Sequence, residues 1–165
     1  MNYVGFMRRL LSMIVDSIIL IPGYFFIFMA FYYPTAEWGQ GNILVAVLVT
    51  GFVLFIALSI YFTIMWRLFG QTPGKMLFKM KIVDFNGNQI SIRRAVLRSI
   101  VLVTPVIIIY LVVSVGTHLT SKNMLPLLLI LISAILLFHF LLITRDKKKR
   151  ALHDKIAGTC VVRTK

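Results

Sequence analysis

Four long apolar runs constrain the fold of this chain more than any other feature of its sequence. The runs are Leu10–Tyr33, Ile43–Met65, Ile100–Val115 and Met124–Thr144. A membrane-spanning helix needs about 20 predominantly apolar residues, and a hydrophobic content of 59% is high for a soluble domain. The third run is short, so its span must include flanking polar residues. The predicted spans are therefore residues 10–33, 43–66, 98–117 and 124–144.

The basic residues fall on alternate connections between these runs. Every Lys and Arg except Lys122 lies in the N-terminal segment, in or beside the connection 67–97, or in the tail 145–165. An excess of Lys and Arg marks the cytoplasmic side of a membrane protein. We therefore expect one membrane domain over residues 1–165. Its predicted fold is an all-α, four-transmembrane-helix bundle with both termini in the cytoplasm.

The same charge distribution indicates which partners the chain has. A net charge of +13 would suit a nucleic-acid-binding protein, but here membrane topology accounts for it. Basic residues next to a bilayer attract anionic lipid headgroups. We expect a bilayer with anionic headgroups as a partner and no nucleic acid.

The connection between spans two and three, with the tail, carries signals for a small cytoplasmic sheet. Met80–Asp84 has the composition of a strand, and Asn86-Gly87 is a strong hairpin signal. Gln89–Ser91 would be the returning strand. Thr159–Val162 in the tail would pair with Met80–Asp84. The sequence therefore predicts a β-hairpin that the tail completes as a three-stranded sheet.

Asp16 is the one charged residue inside the first apolar run. A carboxylate in hydrocarbon costs a few kcal/mol or more, so it should have a partner or a function. Arg9 precedes it by seven residues, about 10 Å along a helix, which is the limit of side-chain reach. We expect Asp16 to face Arg98 or His139 on other helices, and Arg9 to face the tail and contact Asp154.

Three motifs recur in a familiar order along the chain. They are the segments Gly5–Asp16, Gly70–Lys75 with Lys81–Asp84 after it, and Leu152–Thr159. Together they resemble the RDD family of small multi-pass membrane proteins, named for one arginine and two aspartates. By position, Arg9 and Asp16 match the arginine and the first aspartate, and Asp154 matches the second. The resemblance implies either cation/proton antiport or a regulatory and assembly role beside other membrane proteins, including proteolytic machinery.

The candidate site residues form two groups, and neither is a catalytic set. The intramembrane and interface group is Arg9, Asp16, Arg98, His139 and Asp154. The cytoplasmic motif group is Gly70, Gln71, Pro73, Gly74, Lys75, His153 and Gly158. The motif Gly70–Lys75 resembles a phosphate-binding loop. It is one residue short, however, and Pro73 lacks the backbone amide that would bind phosphate. His153-Asp154 has no second histidine or acid cluster to complete a metal site, so we expect no cofactor and no metal.

Two functions remain open at the level of sequence. The first is a non-enzymatic regulator or assembly partner of another membrane protein, such as a membrane protease or its complex. The expected partner is then that membrane protein or a second copy of this chain in a homo-oligomer. The alternative is a Na⁺(K⁺)/H⁺ antiporter with Asp16 as the titrating carboxylate, which must then be accessible to water. A structural role requires Asp16 to be dry and fully bonded. In either case we expect a multi-pass protein of a bacterial cell membrane.

Overall fold

The computed structural model has long helices and a small sheet at one end of them. It describes residues 2–33, 43–119, 130, 134–135, 146 and 149–164. The elements are α1 (Phe6–Ile27), continued by a π-helical segment (Phe28–Tyr32), then α2 (Ile43–Leu68), α3 (Pro73–Leu77), β1 (Met80–Asp84), α4 (Ile92–Leu119), α5 (Leu152–Ala157) and β2 (Thr159–Arg163).

Three helices of the described part are long and apolar enough to cross a membrane. These candidate spans are Phe6–Tyr32, Leu44–Leu77 and Ile92–Ser114. Large apolar side chains on their outer faces are exposed, among them Phe26 and Phe52. Exposed apolar faces of this extent suit lipid and not water. The predicted fourth span, 124–144, lies outside the described residues except for positions 130, 134 and 135.

α1, α2 and α4 meet the sheet at one end, which we call the sheet end. α1 starts there, α2 finishes there, and α4 starts there immediately after the turn that follows β1. α4 has 28 residues, so its last residue lies about 42 Å from the sheet end. The short helix α5 and β2 are again at the sheet end, where β2 pairs with β1.

The sheet consists of two antiparallel strands, and their predicted pairing is confirmed. Ile82 is opposite Val161 in the register. These side chains enter a hydrophobic core that also contains Trp66 at the end of α2 and Ala95 at the start of α4. The core attaches the sheet to the ends of the helices, because both strands contribute to it.

The predicted hairpin and third strand are wrong. The turn itself forms: Gly87 has a positive φ of 84°, and the Asp84 carboxylate accepts the amides of Asn86 and Asn88, each at 2.9 Å. Gln89–Ser91, however, is not a strand. Ile90 is buried in the core, and Ser91 directly precedes α4, so this segment connects the turn to the helix.

The N-terminal segment lies where a third strand would pair with β2. Tyr3 forms an isolated antiparallel bridge with Val162. The Val4 amide donates to the Val161 carbonyl at 3.1 Å. The start of the chain is therefore held against β2 before α1 begins.

Candidate functional site

α1 presents a polar stripe to the rest of the protein. Its buried residues are Arg9, Ser12 and Asp16, and the spacing of three and four places them on one helical face. Apolar side chains of α1 such as Ile18 and Phe26 are exposed. This pattern is the reverse of that of a surface helix in a soluble protein, and it is stable only where the outer face meets an apolar medium.

The Asp16 carboxylate is bound by the α3 segment. The Thr72 hydroxyl donates to Oδ2 at 2.5 Å, and the Gly74 amide donates to Oδ1 at 2.7 Å. Lys75 Nζ lies 3.7 Å from Oδ2 and supplies the countercharge. Asp16 is 5% exposed and Lys75 is 7% exposed. We call this group the Asp16 cluster.

The described partners of Asp16 belong to the α3 segment, and Arg98 pairs with Asp154. Thr72 occupies the N-cap position of α3, yet its side chain makes no capping bond. The hydroxyl donates to Asp16 instead. An N-cap hydroxyl normally accepts an amide of its own helix. Thr72 followed by Pro73 is typical of a helix start; the backbone follows this pattern, whereas the Thr72 side chain binds Asp16.

Gly74 allows α3 to approach α1 this closely. A Cβ at Gly74 would lie 2.2 Å from the Ser12 carbonyl oxygen and 2.8 Å from Asp16 Oδ1. The first of these atoms belongs to helix backbone and cannot move aside. Any side chain at position 74 would therefore separate the amide from the carboxylate that it binds.

Asp154 lies at the centre of a second cluster, between α1, α4 and α5. Arg9 Nη1 pairs with its Oδ2, as predicted, and Arg98 Nη2 lies 2.6 Å from its Oδ1. The Ala151 amide also donates to Oδ2 at 3.1 Å. Asp154 is completely buried, and Arg98 is 1% exposed. We call this group the Asp154 cluster.

Arg98 is held by three different kinds of contact. Besides Asp154, its Nη1 donates to the Thr159 hydroxyl at 3.0 Å. Its guanidinium lies over the Trp66 ring, 4.8 Å from the ring centroid, which is a favourable cation–π distance. Arg98 therefore connects α4 to α2, α5 and β2.

The remaining predicted residues have mostly structural positions. Gly70, with a positive φ of 70°, follows α2, and its carbonyl accepts the Ile82 amide at 2.7 Å. Gln71 and Pro73 are half-buried in the turn into α3. Gly158 ends α5 in the left-handed conformation at φ 64°. His139 lies outside the described residues.

Burial and neighbouring charges shift the pKa values of Asp154 and His153. Burial would raise the pKa of Asp154, but the guanidinium groups of Arg98 and Arg9 outweigh it and hold that pKa well below its usual range. Burial also lowers the pKa of His153 to about 3. His153 Nε2 lies 3.6 Å from Asp154 Oδ1. At neutral pH the cluster therefore contains a carboxylate, two guanidinium groups and a neutral imidazole.

The residues that form both clusters come from four separate parts of the chain: α1, the α3 segment, α4 and the tail. A comparison with models of protein families matches the RDD family over residues 3–158. The chain belongs to the RDD family. Neither the search of curated proteins nor the search of solved structures found a match to this RDD protein. Family membership and the apolar helices together indicate an integral, multi-pass membrane protein.

In this RDD protein Arg9 pairs with Asp154, whereas Asp16 pairs with Lys75. Sequence reasoning missed the partners of Asp16, which are Thr72, Gly74 and Lys75. One signal could have indicated them. Lys75 ends a motif of small and turn-forming residues beside an apolar helix, so its charge needs a partner nearby.

In this RDD protein the carboxylates of both clusters are paired with cations of the same chain. Among residues 2–33, 43–119 and 149–164, no group of three or more His, Cys, Asp or Glu side chains could hold a metal ion. The single cysteine, Cys160, is buried in β2. The arrangement fixes α1 and the tail to the sheet end.

The pKa of His153 gives a testable pH dependence. Because the folded value of about 3 is below the ordinary value of about 6.5, the unfolded chain binds more protons between these values. Protonation of His153 therefore leaves the free energy of unfolding almost unchanged above pH 6.5. The free energy of unfolding decreases as the pH falls below this value, by about 2 kcal/mol at pH 5. The thermal midpoint in detergent should fall between pH 7 and pH 4. His153→Gln should flatten that fall, and equal slopes for both proteins would contradict the assignment.

Proposed function

We propose that this RDD protein is a non-enzymatic integral membrane protein that regulates or assembles with another membrane protein. One observation carries the proposal: Asp16 is buried, and the chain itself supplies its hydrogen-bond donors and its countercharge. Both of its oxygens accept hydrogen bonds, a lysine neutralises it, and it is 5% exposed. An exchanging carboxylate needs contact with water to gain and lose ions.

The two clusters also use the charged residues of the family motifs for internal contacts. Arg9 and Asp154 attach the tail to α1, and Asp16 with Lys75 attaches α3 to α1. On this proposal, the partner binds to the surface that these contacts hold in place. A membrane protease or its complex is the class of partner that the family resemblance implies.

α1 has the face on which we expect such a partner to pack. Beyond Asp16, α1 has no buried residue, and Ile18, Ile21 and Phe25 are 59%, 57% and 61% exposed. These three positions follow a helical spacing of three and four residues, so they lie on one face. α2 and α4, in contrast, pack extensively on each other.

Ion exchange can be tested directly with purified protein in vesicles. Proteoliposomes with an imposed pH gradient should lose that gradient no faster than protein-free vesicles when Na⁺ or K⁺ is added. Asp16→Asn should behave in the same way. The antiporter alternative requires the opposite: cation-dependent proton flux in the native protein, abolished in a folded Asp16→Asn variant.

The partner can be tested by photocrosslinking in intact membranes. A photoreactive amino acid placed at Ile18, Ile21 or Phe25 should give a discrete protein adduct that mass spectrometry identifies. The matched control is Phe52 on α2, which is 65% exposed and should give lipid adducts. The identified protein should change in abundance or activity when this chain is removed. Lipid adducts alone at all four positions would contradict a partner on α1.

A further inference from the structure

A basic cavity of about 420 Å³ lies at the sheet end, outside both clusters. The N-terminal segment contributes Asn2, the first turns of α1 contribute Arg8, the segment before α5 contributes Lys149, and β2 contributes Arg163. The other described residues that line it are apolar, aromatic or glycine, and none of them is acidic. Three cationic side chains from three parts of the chain thus face one space.

These three cations have no carboxylate partner among the described residues. The described acidic residues all have other partners: Asp16 pairs with Lys75, Asp84 with Arg94, Asp146 with Arg150 and Lys155, and Asp154 with Arg9 and Arg98. Arg8, Lys149 and Arg163 are exposed. Like charges gathered without a counter-ion repel one another, so the cavity has a positive potential that an anion would neutralise.

The backbone around the cavity is fixed by hydrogen bonds. The Arg163 amide donates to the Asn2 carbonyl at 2.9 Å, which joins the two ends of the described chain. The Lys149 amide donates to the Asp146 carbonyl at 2.8 Å, and Lys149 has a positive φ of 49°. The cationic side chains therefore project from backbone that is already ordered. Less conformational entropy is then lost when a ligand binds.

We infer that this cavity binds the phosphate group of an anion, with Arg8, Lys149 and Arg163 supplying the charge. Arginine donates two parallel hydrogen bonds that match phosphate oxygens, and lysine adds a compact charge. α1 is a candidate membrane span that begins at Phe6, so the cavity lies at the level where lipid phosphates occur. A phospholipid headgroup and a soluble phosphate share this chemistry.

The site goes beyond the proposed function because it joins the two ends of the described chain. One anion in the cavity would contact the N-terminal segment and β2 together. Its binding should hold Asn2 and Arg163 in the pairing that precedes α1. Occupancy of the cavity should therefore raise the stability of the contact between the chain ends.

Native mass spectrometry of the detergent-purified full chain tests this inference. The test variant is the triple substitution Arg8→Gln, Lys149→Gln, Arg163→Gln. The matched control is Arg67→Gln, Lys79→Gln, Arg93→Gln, which removes the same charge from exposed positions. Lys79 has a positive φ of 51° and so matches Lys149 in backbone conformation. The probes are phosphatidylglycerol, phosphatidylcholine and inorganic phosphate.

The native protein should bind one phosphatidylglycerol more tightly than phosphatidylcholine. At about fivefold per cation near the membrane surface, the cavity variant should bind it about a hundredfold more weakly, and the control should change by less than about twofold. If the triple variant does not fold, Arg8→Gln and Arg163→Gln alone should each weaken binding by about fivefold. The thermal midpoint without added anion provides the folding control.

The probes distinguish the source of the phosphate. If inorganic phosphate competes with the lipid, or binds in its place, a soluble anion also fits the site. If phosphatidylglycerol binds through the cavity and inorganic phosphate does not compete, the site is specific for lipid. Equal losses in the cavity and control variants would show diffuse charge attraction and would overturn the inference. Failure of the native protein to bind either phosphate probe would also overturn it.

Discussion

Asp154→Asn should lower the free energy of unfolding by about 3–5 kcal/mol, because it leaves the buried guanidinium groups of Arg9 and Arg98 without a negative charge. The asparagine keeps the shape of the side chain, so packing changes little. Asp154 is completely buried, and water cannot replace the lost charge. Titration with a denaturing detergent, followed by circular dichroism, would measure the loss.

Two neighbouring arginines on α1 provide the control for this prediction. Arg9 is 6% exposed and pairs with Asp154, whereas Arg8 is exposed. Arg9→Ala should therefore approach the loss seen for Asp154→Asn. Arg8→Ala should change the free energy of unfolding by less than about 1 kcal/mol. Equal effects of the two alanine substitutions would mean that the Asp154 cluster is not a source of stability.

Gly74→Ala should destabilise the protein by about 3 kcal/mol or more. The added Cβ would overlap the Ser12 carbonyl oxygen at 2.2 Å, and overpacking of this kind typically costs about 1–3 kcal/mol. Moving α3 away would lengthen the bonds from Thr72 and Gly74 to Asp16. Each hydrogen bond to a charged group contributes about 1.5–3 kcal/mol. The fraction of monodisperse protein in mild detergent and its thermal midpoint are the measurements.

Gly23→Ala is the matched control, since it adds the same methyl group to another glycine. A Cβ at Gly23 would meet nothing within 4 Å. Alanine also favours a helix over glycine by about 1 kcal/mol, and Gly23 lies inside α1. We expect Gly23→Ala to leave stability unchanged or to raise it. A Gly74→Ala protein as stable as the Gly23→Ala protein would contradict the close contact of α3 with α1.

The sequence predicted the helical membrane fold, the pairing of β1 with β2, and the contact of Arg9 with Asp154. These predictions succeeded where a local pattern determines the structure. Met80–Asp84 and Thr159–Val162 have the residue composition of strands, and both form strands that pair. Arg9 lies at the start of the first span, where only the tail and the loops can supply a carboxylate.

Prediction from the sequence was wrong where a segment could form its hydrogen bonds or bury its side chains in two ways. Gln89–Ser91 could have returned as a strand, but burial of Ile90 in the core and the start of α4 fix it as a connection. Thr72 could have accepted an amide of its own helix, but its hydroxyl is directed toward Asp16 and donates to that carboxylate. In both cases a distant residue, absent from the local pattern, determines the outcome.

Chemical modification measures whether the Asp16 carboxylate can be reached. Hydrophobic carbodiimides modify protonated carboxyl groups inside membrane proteins, and mass spectrometry locates the adduct. We expect Asp16 to stay unmodified in the native protein and to become modified in Gly74→Ala, where α3 no longer covers it. Efficient modification of native Asp16, with protection by Na⁺ or K⁺, would contradict a buried structural role and favour an exchanging carboxylate.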